Sequence, residues 1–289
     1  MKLHCIPILS ALFTSLVCFS NPATKISDNS PSSGIVIRWN DCEQTIDGFG
    51  IAQAGWAKEL FAFKNRKQVM DKMFGNDGLR LNILRGEIFP HYWENKEDKD
   101  FNLNDDINIE LCDSDFNNKS DDLLRRGQLW LTLEAKNKYH INKLVFSTWS
   151  APAWMKSNGK VSNGKLKPEC YQDFANYLAA FYKAYKSKGI TPYAISPSNE
   201  PGYAAPWNSS LWTADEMGKF ITSNLGPTFQ KENIPAKIIF GENPLWSVVM
   251  PQLKMVSSKD FTDTILQDYP EIKKFNLIAA GHGYSLSPD

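Results

Sequence analysis

The sequence predicts an α/β chain of the β/α-barrel type, and three observations carry that expectation. Short apolar runs alternate with amphipathic stretches along most of the chain, the pattern of successive parallel strands and crossover helices. Nearly every run closes on polar or aromatic residues, which is what barrel strands do where they converge on one face. The 289 residues are 42% hydrophobic and 12% aromatic, enough to bury the core of one large domain or two modest ones.

Taken in order, the chain begins with Lys2 and the apolar stretch "IPILSALFTSLVCF", followed from Ser20 by small and polar residues. Residues 1–20 read as an export signal, too short for a dependable transmembrane span. Cys18 closes the apolar stretch and opens the alternative of a lipid anchor, against which the bulky Val17 counts. Removal of the signal takes Cys5 and Cys18 and leaves Cys42, Cys112 and Cys170, an odd set without metal-ligand spacing. Residues 21–34, "NPATKISDNSPSSG", form a flexible tether. The folded domain covers 35–289.

Within it, "IVIRW" stands apart, and "TIDGFG", "LRLNILRG", "KLVFSTWS", "YAISPS", "KIIFGEN" and "NLIAAGHGY" are six successive parallel strands. A helix follows Pro168: Tyr171, Phe174, Ala175, Leu178, Phe181, Tyr182 and Tyr185 recur at spacings of three and four, with Gly189 placed for a left-handed cap. Another runs from about Asp121, as N-cap, to Tyr139. Before that helix, the Asn- and Asp-rich stretch 89–119 is a long loop of the kind that shapes a cleft.

The strand ends supply the candidates for chemistry. They are Asp47 after the first strand, Arg85 and Glu87 after the second, Trp149 and Trp154 after the third, and Asn199 and Glu200 after the fourth. Glu242 follows the fifth, and His282 and Tyr284 the sixth. Each has a bland reading beside the functional one: Asp47 as a turn residue, Arg85 with Glu87 as a structural ion pair, His282 as a satisfied wall residue. The stretch "PYAISPSNEP" is the most pointed, because neither Glu nor Pro favours a ladder, so the chain stops pairing with a carboxylate at the strand mouth.

Charge and motif searches narrow the partner. Lys plus Arg and Asp plus Glu number 32 each, so no net field recruits nucleic acid or an acidic membrane. The four His residues are not paired at ligand spacing, and no GxSxG elbow, Walker loop or dinucleotide fingerprint occurs. No metal or cofactor is implied. Carboxylates beside aromatic platforms remain, the combination glycoside hydrolysis uses.

The motifs "IDGFG", "STWSAPAWMKSNG", "ISPSNEP" with "W" and "WT" soon after, and "AAGHGY" occur in the order seen in glycoside hydrolase family 30, which the chain resembles from Ile35 to Tyr284. That resemblance implies a secreted or periplasmic, retaining, metal-free enzyme acting on a carbohydrate, a monomer when complete. Its β/α barrel would carry a small β-sandwich side domain, to which "IVIRW" contributes the N-terminal strand. By motif, Glu200 is the general acid/base, Asn199 holds the sugar hydroxyl beside the anomeric carbon, and Trp149 floors the sugar subsite. His282 and Tyr284 line the same pocket, and Trp56 is the aromatic of the first loop. The family's options include xylan, β-1,6-linked glucan or galactan, and glucosylceramide; "GFG…GW" and "SNEPGYAAPW…WT" look nearer the xylanase branch.

The chain departs from the family in ending at Asp289, just past the sixth strand, whereas the resemblance puts the nucleophilic Glu on the seventh. Glu242, on the strand next to that of Glu200, is poorly placed to substitute. The expectation is therefore a retaining glycanase represented without its C-terminal third, poorly soluble as the isolated chain because its closing strands are missing, with a folded, non-catalytic glycan-binding remnant as the alternative.

Overall fold

The computed structural model describes residues 6–8, 38, 40–41, 44–53, 56–91, 93, 95–97, 127–247 and 256–284. Asp121 and most of the "IVIRW" run fall outside them. So does the bulk of the 89–119 loop, and so does the signal-like segment apart from Ile6–Ile8.

Six strands follow one another in a parallel sheet: β2 (Gly50–Ala52), β3 (Ile83–Ile88), β4 (Lys143–Thr148), β5 (Ala194–Ser196), β6 (Lys237–Asn243) and β7 (Leu277–His282). They correspond to the six strands expected from sequence. One more strand, β1 (Ile6–Ile8), lies parallel to Ala280–His282 of β7, so the sheet order is β1-β7-β6-β5-β4-β3-β2. The edge of β7 presents unpaired backbone groups, and a short apolar segment satisfies them there.

The helices cover the outer face: α1 (Ala57–Ala62), α2 (Arg66–Phe74), α3 (Gly127–Tyr139), α4 (Tyr171–Ser187), α5 (Ala214–Phe220), α6 (Gly226–Lys231) and α7 (Ser258–Asp268). Helix α4 follows the predicted stripe, burying all seven named residues. It ends as Gly189 predicts, at φ 78°. The Gly189 N–H donates to the Lys186 carbonyl and the Ile190 N–H to that of Tyr185, closing a Schellman motif. Helix α5 opens on a capping box between Thr213 and Glu216, which explains the Thr of the "WT" motif. No helix among the described residues is long and apolar enough to cross a membrane.

Strand alternation divides the apolar residues into two sets. Leu84, Ile88, Leu144, Phe146, Ile195, Ile238, Phe240 and Ala279 face the helices and form the main core with α3 and α4. The alternate residues Ile83, Val145, Ala194, Ile239 and Ile278 make a second cluster on the inner face, with Tyr193 packed against it. Two residues further along β3, β4 and β5 the inner face turns polar, at Arg85, Ser147 and Ser196; on β7 Ala280 is still apolar and the change comes at His282, four residues beyond Ile278, all four polar residues being buried.

The first barrel strand begins later than expected. Gly48 takes a φ of 150°, open to glycine, and breaks the extended run before Gly50 joins the ladder. Asp47 thus precedes the strand instead of following it. Its carbonyl and carboxylate accept from the ammonium of Lys143, the first residue of β4, at 2.6 and 3.1 Å. It belongs to the N-terminal mouth of the sheet, opposite the candidate site.

Candidate active site

Arg85, on β3, reaches Glu242, on β6, although two strands lie between them. Along a flat sheet three strand spacings amount to about 14 Å, so the contact requires the sheet to curl into a barrel arc. The Arg85 Nη2 donates to Glu242 Oε1 at 2.7 Å and to Asn199 Oδ1 at 2.7 Å. Its guanidinium also lies over the Trp149 ring, 4.5 Å from the centroid. Arg85, read from sequence as a possible partner of Glu87, has as its described partners residues from three other strand ends.

Glu242 gets there by a bulge. Regular alternation along β6 points Ile239 and Gly241 inward, which would send residue 242 outward. Instead Gly241 takes φ 99° and Glu242 φ 47°, and the register against β7 slips between Gly241 and Asn243. A side chain at Gly241 would meet the Ala280 carbonyl at 2.5 Å, so only glycine permits the turn. The bulge swings Glu242 into the polar layer, where Ser147 donates to its second oxygen at 2.8 Å.

Glu200 also holds a left-handed backbone, φ 50°. Its N–H donates to the Glu242 carbonyl at 3.1 Å, and the Asn199 N–H to that of Thr148 at 2.6 Å, so the Asn-Glu pair is held from both neighbouring strands. Non-glycine residues in that conformation cost about 1–3 kcal/mol and persist where surroundings over-determine them. His282 bridges the two carboxylates: Nδ1 is 2.9 Å from Glu200 Oε1, and Nε2 is 3.7 Å from Glu242 Oε1. Tyr284 presents its ring edge-on to His282 at 5.3 Å and is largely exposed.

The electrostatics follow from these contacts. Burial opposes ionisation of Glu242, but the Arg85 guanidinium and His282 outweigh it and hold the carboxyl at about 2. Burial likewise disfavours the imidazolium of His282; its hydrogen bond to Glu200 and the nearby Glu242 carboxylate prevail and raise it above its ordinary value. Arg85 Nε and His282 Nε2 are buried without a hydrogen-bond partner among the described residues. Among those residues no group of His, Cys, Asp and Glu is placed to hold a metal.

The structure therefore gathers Glu200, Asn199, Trp149, His282 and Tyr284. It places Trp56 differently: its indole donates to the Ala52 carbonyl at 2.6 Å, just past β2, and its ring packs on the core under the helices. Trp154 is similar, donating to the Trp93 carbonyl at 3.1 Å. Sequence reasoning missed Ser147, although its place two residues beyond inward-facing Val145 was the available signal. It also missed Lys156, whose buried ammonium donates to Ser150 Oγ at 3.0 Å and to the Ser209 carbonyl at 2.7 Å, tying the loop after β4 to the loop after β5. Burial alone lowers that amine to about 8.

Residues 46–269 match the TIM-barrel domain of glycosyl hydrolase family 30. The chain is 30% identical over 200 residues to putative glucosylceramidase 3 of Caenorhabditis elegans, covering 66% of this chain and 37% of the relative. It is 28% identical over 237 residues to an endo-1,6-beta-D-glucanase of Neurospora crassa, covering 76% and 45%. Among solved structures, a glycoside hydrolase family 30 subfamily 8 xylanase from Clostridium acetobutylicum superposes with a TM-score of 0.57 at 27% identity, over 85% of this chain and 51% of that one. The chain thus spans about half or less of the length of these relatives.

Proposed function

Since this chain belongs to glycosyl hydrolase family 30, we propose that it carries the acid/base side of a retaining β-glycoside hydrolase, with Glu200 as the proton donor. The observation that supports this best is the pairing of Glu200 with His282, beside an Asn199 whose amide is fixed by a buried arginine. Arg85 has donors only, so Asn199 must turn its carbonyl oxygen to it and present its NH2 outward. That amide donates to the sugar hydroxyl next to the anomeric carbon, while Glu200 protonates the departing glycosidic oxygen and later takes a proton from water.

Trp149 has one face covered by the Arg85 guanidinium, which leaves its other face as the floor for a sugar ring. Trp207 and Trp246, both exposed on loops after β5 and β6, extend the stacking surface. Retention needs a second carboxyl about 5 to 5.5 Å from the first, and the family resemblance puts that group on a seventh barrel strand. The substrate is a neutral β-linked polysaccharide, xylan-type by the loop motifs, met outside the cell after export through residues 1–20, with Cys18 the site of an anchor if the segment is lipidated.

A panel of glucuronoxylan, β-1,6-glucan and glucosylceramide tests the reading on the full-length protein. Reducing-end release from xylan, lost in Glu200→Gln, supports it. Turnover of glucosylceramide alone keeps the chemistry and overturns the substrate. Hydrolysis unaffected by Glu200→Gln overturns the assignment of the acid.

A further inference from the structure

Glu242 is the best-buried carboxylate near the site, and proton donation by Glu200 does not use it. Its relative exposure is 1%, against 8% for both Arg85 and Glu200. It is ionised, hydrogen-bonded on each oxygen by Arg85 and Ser147, and delivered to the polar layer by a bulge that only Gly241 allows. An attacking carboxylate must reach the anomeric carbon of a bound sugar; Glu242 is buried beneath Arg85, whose hydrogen bond holds it in place.

We propose that Glu242 is a positioning residue: it anchors Arg85, and through Arg85 the Asn199 amide, and it braces His282 on the side opposite Glu200. The first part follows from one guanidinium nitrogen. Arg85 Nη2 serves both Glu242 and Asn199 at 2.7 Å, so the direction of its hydrogens toward Asn199 is set by where Glu242 holds it. Without that anion Arg85 has no carboxylate partner among those described and is free to swing to Glu200. The Asn199 amide then loses the contact that decides which of its ends faces the substrate. The second part follows from His282. The imidazole meets Glu200 through Nδ1 and Glu242 through Nε2. Arg85 and Tyr284 also face this pair, and Ser147 and Ser196 face Glu242. A fixed charge on the Nε2 side favours the doubly protonated ring, which then donates to Glu200.

This inference deepens the proposed function and rests on the same site, yet its first test needs no turnover. Nuclear magnetic resonance titration of the His282 imidazole in the full-length protein reads the brace. In Glu242→Gln the midpoint is expected to fall by about 1 to 3 pH units, the effect of removing an opposite charge at this range. In Glu242→Asp, which keeps the charge, it should remain within about half a unit of the wild type. An unmoved midpoint in a folded Glu242→Gln protein overturns the proposal. So does failure of both variants to fold, which would assign Glu242 to the fold rather than the site.

The anchor is read by substrate. The rate lost on removing the hydroxyl beside the anomeric carbon should shrink at least about tenfold in Glu242→Gln, a difference of about 1.4 kcal/mol. A penalty unchanged from the wild type contradicts it. If azide restores Glu242→Gln with inverted product, Glu242 is the nucleophile and the proposal is wrong. A wild-type protein without hydrolysis would defeat the proposed function while leaving the His282 titration to decide this one.

Discussion

The floor of the barrel interior and the layer above it are built from the same strands, two residues apart on β3, β4 and β5. Below, Ile83, Val145, Ala194, Ile239 and Ile278 close on one another; about 7 Å higher, Arg85, Ser147 and Ser196 occupy the same inward parity, joined by His282 from beyond Ala280 on β7 and with Glu242 inserted among them. The lower layer is held by apolar contact and tolerates small changes of shape. The upper one is a network in which each member satisfies another, so its value is positional and its cost of disruption high. The difference teaches that an inward strand position has no fixed role; its distance from the C-terminal end decides between packing and chemistry.

Breaking the upper layer at its cation gives the largest expected loss. Arg85→Ala leaves Glu242 buried without its main partner and should cost about 3–5 kcal/mol in urea denaturation. Replacing both partners by apolar residues, Arg85→Met with Glu242→Leu, should recover most of that stability while abolishing turnover. If the double variant is as unstable as the single one, the network serves the fold more than the site.

Acid probes the same pair. The folded carboxyl of Glu242 titrates at about 2, below its ordinary 4.5, so its contribution is complete above pH 4.5 and disappears as pH falls through 2. The stability gap between wild type and Glu242→Gln should narrow by about 3 kcal/mol across that window. A constant gap would mean that the charge of Glu242 adds nothing.

Trp149 lies just past the end of β4, above the polar layer, half-buried with a cation on one face. Trp149→Ala should weaken binding of an oligosaccharide spanning the cleavage point by about 1–3 kcal/mol in calorimetry, with the fold retained. Loss of the melt without a specific loss of binding would place Trp149 in the core instead. The smallest effect belongs to the floor: Ile239→Val should cost about 0.5–1.5 kcal/mol and leave catalytic constants unchanged.

Much of this was legible in the sequence, because burial on both faces writes strands as apolar runs and the strand ends as polar ones. The α4 stripe, its glycine cap, and the grouping of Glu200, Asn199, Trp149 and His282 all follow from such local patterns. Four features did not. Asp47 was put at the wrong mouth because a glycine at φ 150° ended the extended run early. Trp56 sits beyond β2 as expected, but its indole turns back on Ala52. The placement of Glu242, read from sequence as a strand-end candidate, depends on a bulge that regular strand alternation does not foresee. The pairing of Arg85 with Glu242 is 157 residues apart and comes from barrel curvature, which no local pattern records.

Glu200→Gln assayed on two leaving groups tests the central assignment most directly. With natural polysaccharide, where the departing alkoxide must be protonated, turnover should fall by about 10²–10⁴-fold. An aryl glycoside of an acidic phenol hardly needs that proton, so its first step should be nearly unaffected and azide should rescue the second, giving a glycosyl azide of retained configuration. Equal losses on both substrates, with no rescue by azide, would contradict Glu200 as the acid/base.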